Sequence, residues 1–182
     1  MAQLDDDVVA AARAGDPDAV GAVYSVLSPK VLGYLRARGA EDAEGLTNEV
    51  FLQVITRLPG LRGGCAELRT FVFSVAHARA VDDIRRRSRR PSLSPYEPEL
   101  DERATGSAES AALEDAGSRD VVDLLNRLSE DQRTVVSLRV LGDLSLEQTA
   151  AVLGRSTGAV KQLQRRGLLE LRALVERGEV VL

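Results

Sequence analysis

Near its C-terminus the chain has a helical segment with cationic and amide side chains on one side, namely Lys161, Gln162, Arg165 and Arg166. No acidic residue interrupts this segment before Glu170. Lys and Arg side chains neutralise phosphates, and Gln and Arg can also hydrogen-bond base edges in the major groove of DNA. These residue types at this spacing predict contact with duplex DNA.

The residues around this basic side favour a helix-turn-helix. Ser145 and Gln148 form the Ser-x-x-Gln pattern of a helix start, and Gly154 suits the end of that short helix. Ser156 and Thr157 then open the second helix. Opposite the basic side, an apolar stripe at helical spacing predicts inward packing of Val160, Leu163, Gly167, Leu171 and Leu174. The alternative is a solvated face, but the capped first helix and the missing acids favour DNA binding.

A second group of cations lies in the N-terminal half, beside the glycine-rich segment "LPGLRGGCAE". Clustered arginines can neutralise the phosphates of a nucleic acid. Candidates are Arg62, Arg69, Arg79 and the run "RRRSRR", which contributes Arg85, Arg86, Arg87, Arg89 and Arg90. Arg residues at a helix end can also merely complement the helix dipole. Their density favours phosphate contact.

Composition argues against a metal site, a disulfide and a membrane segment. The 182 residues are 44% apolar but only 3% aromatic, and the net charge is −4 at pH 7, so the basic residues are clustered rather than in excess. A lone Cys65 and a lone His77 offer no zinc set and no internal disulfide. We expect Cys65 to be a small loop residue, His77 a surface or packing residue, and no metal or cofactor. No run approaches ~18 apolar residues and the N-terminus lacks a signal-peptide core, so we expect a soluble, cytoplasmic protein.

The chain divides by composition into three zones, 1–90, 91–118 and 119–182. They predict an all-α protein made of two small helical domains joined by a flexible acidic linker. Residues 1–90 and 119–182 have helical spacing, with breaks expected at Pro29 and within residues 58–64. Residues 91–118 contain three prolines and one base, Arg103. Acidic residues dominate this zone: Glu97, Glu99, Asp101, Glu102, Glu109, Glu114 and Asp115. Such a composition favours a linker over a packed domain.

Several stretches resemble one family. "AEDAEGLTNEVFLQVITRLPGLRG" and "LRTFVFSVAHARAVDDIRRRSRR" resemble region 2 of the extracytoplasmic-function (ECF) sigma factors of bacterial RNA polymerase, a group of the sigma-70 family. "LLNRLSEDQRTVVSLRVLGDLSLEQTAAVLGRSTGAVKQLQRRGLLELR" resembles region 4, and "AARAGDPDAVGAVYSVLSPKVLGYLRAR" fits the opening helices of region 2. The resemblance implies a dissociable, non-enzymatic initiation subunit, with region 2 in residues 1–90 and region 4 in residues 119–182.

The resemblance also implies roles for individual residues. The coiled coil of the largest polymerase subunit would contact Asn48, Glu49, Leu52 and Gln53. Single-stranded DNA of the −10 promoter element would contact Arg62, Gly63, Gly64, Arg69, Arg79, Arg85, Arg86 and Arg87. Duplex DNA of the −35 element would contact Ser156, Thr157, Lys161, Gln162, Arg165 and Arg166. Further implied partners are the flap of the second-largest polymerase subunit and an anti-sigma factor.

Two other classes of protein share some of these features. A helix-turn-helix regulator would bind duplex DNA without polymerase, but its N-terminal half should offer a ligand pocket rather than an Arg-rich helix behind a glycine-rich loop. A DNA-acting enzyme, such as a recombinase, would need an acidic metal cluster or a nucleophile motif, and the sequence shows neither. The sigma-factor interpretation explains both halves of the chain.

Overall fold

The computed structural model describes residues 4–89 and 121–178, and in these two ranges the secondary structure is helical, without strands. The predicted all-α class is therefore confirmed. A 3-10 turn, Leu58–Gly60, follows the third helix. In chain order the helices are α1 (Asp6–Arg13), α2 (Pro17–Ala37), α3 (Ala43–Arg57), α4 (Cys65–Ser88), α5 (121–126), α6 (Glu130–Val140), α7 (Leu146–Leu153) and α8 (Thr157–Glu176).

Side-chain caps fix most of the helix starts that the sequence predicts. The Asp16 carboxylate accepts a hydrogen bond from the Ala19 amide at 2.9 Å, with Pro17 as the first residue of α2. Ser129 and Ser145 each form the reciprocal capping box with the Gln three residues later. Each box satisfies two backbone amides that the first helical turn leaves unpaired. The helix start predicted from Ser145 and Gln148 is confirmed.

Pro29 does not break α2, contrary to the sequence-based expectation. The helix continues from Pro17 to Ala37 with Pro29 inside it. Proline removes the hydrogen bond to the carbonyl four residues earlier, which here belongs to Ser25. Both Ser25 and Pro29 are exposed, so water can hydrate the freed carbonyl. The expected break is wrong because the proline lies on the solvent side.

The N-terminal bundle, α1 to α4, packs around aliphatic side chains with one aromatic pair at its centre. The inward side of α3 contributes to this core, because Val50 and Val54 are fully buried and Leu46 nearly so. The rings of Tyr34 and Phe73 meet edge to face, with centroids 5.8 Å apart. Edge-to-face pairs suit aromatic quadrupoles, so the contact links α2 to α4 directionally as well as by burial.

The C-terminal bundle, α5 to α8, forms the expected helix-turn-helix. Gly154 ends α7 in the left-handed conformation, with φ of 60°, and Ser156 caps α8. Gly167 lies where α8 crosses α6, and a Cβ atom there would be 2.9 Å from Cγ2 of Val136. The crossing therefore needs a residue without a side chain.

The two bundles also pack against each other, which the sequence did not predict. The contacts run between α4 and α7 and between α2 and α6. Leu138 and Leu144 of the C-terminal bundle share one apolar cluster with Phe73 of the N-terminal bundle. Ala37 joins a second cluster with Leu128. The predicted linker, 91–118, lies outside the described residues, so its flexibility and the domain boundaries stay predictions.

Candidate nucleic-acid and protein interfaces

The basic face of α8, defined as Lys161, Gln162, Arg165 and Arg166, points to solvent. All four residues are exposed, whereas Val160, Gly167 and Leu174 on the opposite side are buried. The Ser156 hydroxyl accepts a hydrogen bond from the Ala159 amide at 3.2 Å, and Thr157 is the first helical residue. The cap sets where the helix starts, and so fixes which residues share the outer side.

Among the described residues, no acidic side chain neutralises the cations of this face. In the part of the chain that the structure describes, no acidic side chain forms an ion pair with Lys161, Arg165 or Arg166. The other basic residues of the helix-turn-helix differ, because Arg155 pairs with Asp131 at 2.8 Å. Three cations on one face without internal partners suit a polyanion.

A groove of about 830 Å³ borders the basic face, and sequence reasoning missed part of its lining. Arg139 of α6 donates from Nε to Oε1 of Gln164 at 3.2 Å and from a terminal nitrogen to the carbonyl of Leu144. Arg172 lines the same groove and pairs with Glu176. Helical periodicity within α8 cannot reveal Arg139, because that residue comes from another helix.

The glycine-rich segment forms a tight entry into α4. Gly63 has φ of 101°, which favours glycine, and its carbonyl accepts a hydrogen bond from Arg13 at 3.2 Å. A Cβ atom on Gly64 would be 2.2 Å from a carboxylate oxygen of Asp6. That carboxylate in turn accepts from the Cys65 amide at 2.7 Å. Both glycines are therefore required locally, and α4 begins at Cys65, so the expectation that Cys65 is a loop residue is wrong.

The predicted −10 cations divide into two sets. Arg62 and Arg85 are exposed and form no ion pair among the described residues. The others are paired, as Arg69 binds Asp143, Arg79 binds Gln53 and Glu49, and both Arg86 and Arg87 bind Asp83. Arg90 lies outside the described residues.

Asp83 binds two arginines of the run. Its side chain is only 2% exposed, and it lies 2.8 Å from Arg86 and 3.1 Å from Arg87. A buried carboxylate needs such counter-charges. Two of the five arginines of the run, Arg86 and Arg87, thus have a structural partner, while Arg85 and Arg89 are exposed.

The polar face of α3, defined as Asn48, Glu49, Leu52 and Gln53, surrounds an exposed leucine. Leu52 is 69% exposed, far more than a helix residue with a structural role would be. The face is wider than the sequence suggested, because Tyr24 and Ile55 are also about 40% exposed. The Tyr24 hydroxyl donates to Oδ1 of Asn48 at 3.4 Å. An apolar centre with a polar rim is typical of a protein interface.

The two isolated reactive residues have packing roles. His77 shares a hydrogen bond of 2.8 Å between Nδ1 and the Tyr34 hydroxyl. Burial, and then the charge of Arg38, lower the pKa of His77 despite the opposing effect of Glu130. Burial, and then its hydrogen bond with Asp6, raise the pKa of the Cys65 thiol, so the unreactive protonated form prevails at neutral pH. Burial raises the pKa of Tyr34 well above its ordinary range.

Residues 4–89 and 121–178 contain no group of three or more His, Cys, Asp or Glu side chains that could hold a metal ion. Among the same residues, no helix is long and apolar enough to cross a membrane. The expected absence of a cofactor stays a prediction.

Comparisons with known proteins assign the two bundles to one family. The chain matches the family models of Sigma-70 region 2 over residues 23–90 and of Sigma-70, region 4 over residues 124–173. The ECF RNA polymerase sigma factor SigD of Mycobacterium tuberculosis (strain ATCC 25618 / H37Rv) is 38% identical over 175 residues, covering 92% of this chain and 82% of SigD. The chain belongs to the ECF RNA polymerase sigma factors.

Other sigma factors show the same relationship along the chain and in the fold. The ECF sigma factor ShbA of Streptomyces griseus subsp. griseus is 33% identical to this sigma factor over 172 residues, covering 89% of this chain and 90% of ShbA. The solved structure of CnrH in complex with the cytosolic domain of CnrY superposes with a TM-score of 0.67 over 95% of this chain and 97% of that chain. At 22% identity, that likeness concerns the fold.

Proposed function

We propose that this sigma factor is a dissociable initiation subunit, with the polar face of α3 docking on core RNA polymerase and the basic face of α8 binding the −35 element. The segment before α4, together with the cations of that helix, receives the non-template strand of the −10 element. The subunit binds and separates strands, while RNA synthesis belongs to the polymerase. Because it works on the transcription machinery, we place it in the cytoplasm.

The basic face of α8 carries the proposal for the −35 element. Within residues 4–89 and 121–178 its cations have no ion-pair partner, and Ser156 places the positive end of the helix dipole where a phosphate can bind. Lys161 lies one turn before Arg165, so both can follow the same groove. We assign Lys161 to a phosphate and Arg165 to base edges, with Gln162 and Arg166 flanking them.

The −10 proposal centres on the entry into α4. Arg62, Arg85 and Arg89 are predicted −10 cations that are exposed and form no ion pair within the described ranges. They supply charge for the backbone of a single strand, and an extruded base needs a pocket near Gly63 and Gly64. Arg69 becomes more available to the strand if it leaves its present partner, Asp143.

The core-polymerase proposal centres on Leu52. An exposed leucine with Asn48, Glu49 and Gln53 around it matches an anchor inside a polar rim. The coiled coil of the largest subunit is the proposed partner, and the flap of the second-largest subunit is proposed to contact the C-terminal bundle. An anti-sigma factor is a further proposed partner, since the solved sigma factors of similar fold include complexes with such proteins.

Alanine variants of the basic face test the −35 assignment in the assembled holoenzyme. Lys161→Ala should weaken binding to all promoter sequences and lower the salt slope by roughly one counterion. Arg165→Ala should cost about 1–3 kcal/mol and relax the preference at one or two base pairs. Affinity and salt slope are measured by titrating labelled promoter duplex, and selectivity by sequencing bound fragments from a randomised −35 pool.

Arg127→Ala is the matched control, since it also removes one exposed positive charge from the C-terminal bundle but lies outside the basic face. It should leave base selectivity unchanged. If Lys161→Ala and Arg165→Ala both retain the affinity and selectivity of the unchanged protein, the basic face is only a solvated surface, and the −35 proposal fails.

A further inference from the structure

Asp143 connects the C-terminal bundle to two cations of the N-terminal bundle. It lies in the turn between α6 and α7 and has φ of 54°, in the left-handed region that few non-glycine residues adopt. Its Oδ2 lies 2.8 Å from Nη1 of Arg69 on α4 and 3.3 Å from Nζ of Lys30 on α2. Arg69 also donates to the Asp143 carbonyl at 3.3 Å. One turn thus contacts two helices that are far away in sequence.

The neighbours of Asp143 fit closely against the N-terminal bundle. Gly142 is buried, and a Cβ atom there would be 3.0 Å from Cε1 of Phe73 and 2.6 Å from the Leu138 carbonyl. Leu144 is 1% exposed and belongs to the apolar cluster of the N-terminal bundle. Gln148 donates to the carbonyl of Ala66 at 2.8 Å. The turn therefore joins an apolar contact to a pair of ionic contacts.

A second ionic contact joins the bundles between α2 and α6. Arg38, whose side chain is 3% exposed, lies 3.1 Å from Oε1 of Glu130 at the start of α6. The boundary thus combines apolar clusters with ionic contacts, a combination typical of a specific interface.

Arg69 is less available to a DNA strand while it binds Asp143. Its Nη1 group donates to both the carboxylate and the carbonyl of Asp143, and the carboxylate neutralises the charge that would attract a phosphate. Partial burial would raise the pKa of Asp143, but the hydrogen bonds and charges of Lys30 and Arg69 outweigh it and lower that pKa. The carboxylate is therefore ionised at neutral pH and competes fully for the guanidinium.

We propose that residues 142–144 form an intramolecular latch, which closes the free sigma factor through Arg69 and Lys30 and competes with single-stranded promoter DNA for Arg69. This inference rests on the proposed −10 function of α4. The basic face of α8 remains exposed in the closed form, so the latch masks the −10 surface and not the −35 surface.

Asp143→Asn in the free, full-length protein tests the latch. Asparagine tolerates the left-handed conformation and removes only the charge. Spin labels are attached at Glu41→Cys and Glu170→Cys, two exposed positions in different bundles, and report the distance between the bundles. Cys65→Ser removes the natural cysteine, so that only these two positions are labelled. Asp143→Asn removes two partly exposed ion pairs, so the ratio of open to closed protein should rise about two- to thirtyfold. Raising the salt concentration should produce the same shift in the unchanged protein.

The matched control is Asp131→Asn, which removes an equally charged side chain whose partner, Arg155, lies in the same bundle. It should leave the distance distribution unchanged. A labelled single-stranded oligonucleotide from the non-template strand of a promoter used by the holoenzyme is the second probe. Its affinity for the free protein should rise with Asp143→Asn by up to the same factor, because less of the protein is closed.

Three results would overturn the latch. The first is a separation of the two bundles in the unchanged protein. The second is a change in the spin-label distances with Asp143→Asn that is no larger than the change with Asp131→Asn. Opening without a gain in oligonucleotide affinity would refute the competition for Arg69. The distance measurement involves neither DNA nor polymerase, so failure of the proposed promoter function, seen as absent transcription with core polymerase, is recognised separately.

Discussion

Replacing Leu52 with aspartate should weaken binding to polymerase without weakening the fold. Fully burying a leucine side chain contributes about 1.5–3 kcal/mol, and Leu52 is 69% exposed. A partner that covers it gains about 1–2 kcal/mol from the remaining surface, and a carboxylate in the same place adds a desolvation cost. We therefore expect Leu52→Asp to cost about 1–3 kcal/mol of binding free energy.

The assay is titration of the sigma factor with a fragment of the largest polymerase subunit that contains its coiled coil, alongside urea unfolding of the free protein. The unfolding free energy should change by less than about 0.5 kcal/mol, as for other surface substitutions. Val140→Asp is the control, since Val140 is 64% exposed but belongs to the C-terminal bundle. Unchanged binding by Leu52→Asp would place the interface elsewhere, and a lost fold would refute the exposure of Leu52.

Two further predictions concern stability. Gly167→Val should lower the unfolding free energy by about 1–3 kcal/mol, because its Cβ would be 2.9 Å from Val136. Gly158→Val on the same helix is the control, since a Cβ atom there meets nothing closer than 4.0 Å, and it should be nearly neutral in urea unfolding. His77 has a lowered pKa, so folding favours its neutral form and its effect on stability is constant above the ordinary pKa of about 6.5. As pH falls from there towards the lowered pKa, stability should decrease, and thermal unfolding of His77→Gln should show a shallower decrease. If stability falls with pH equally steeply in the unchanged protein and in His77→Gln, the role of His77 is refuted. A destabilised Gly158→Val would contradict the packing argument for Gly167.

Local signals made the helices of the C-terminal bundle predictable. Ser129, Ser145, Ser156 and Gly154 determine the ends of α6, α7 and α8 through contacts with residues three or four positions away. Helical periodicity then predicted that the basic face of α8 lies on the solvent side. It did so because the apolar stripe of an amphipathic helix packs inward, and the basic residues lie opposite that stripe.

Pairings between distant residues were not predictable in this way. Arg69 and Asp143 are 74 positions apart, and no pattern in either segment indicates that they meet. Arg79 likewise binds Gln53 of another helix, so a cation predicted for DNA and an amide predicted for polymerase contact each other. The fate of a long charged side chain depends on the tertiary packing around it, which periodicity does not encode.

Pro29 shows the same limit on a smaller scale. Its residue type argues for a break, but the outcome depends on whether the freed Ser25 carbonyl meets water or protein. The N-terminal apolar stripe determines that orientation, and a breaker rule applied to one residue ignores it.

Promoter-directed transcription is the most direct test of this sigma factor's central role. Core RNA polymerase is combined with the purified subunit on a library of promoter fragments, and the transcripts are sequenced to locate their start sites. We expect specific starts downstream of a shared pair of −35 and −10 sequences, which disappear with Leu52→Asp and lose −35 selectivity with Arg165→Ala. Transcripts that are the same with and without the subunit, or specific duplex binding that never requires core polymerase, would contradict the account.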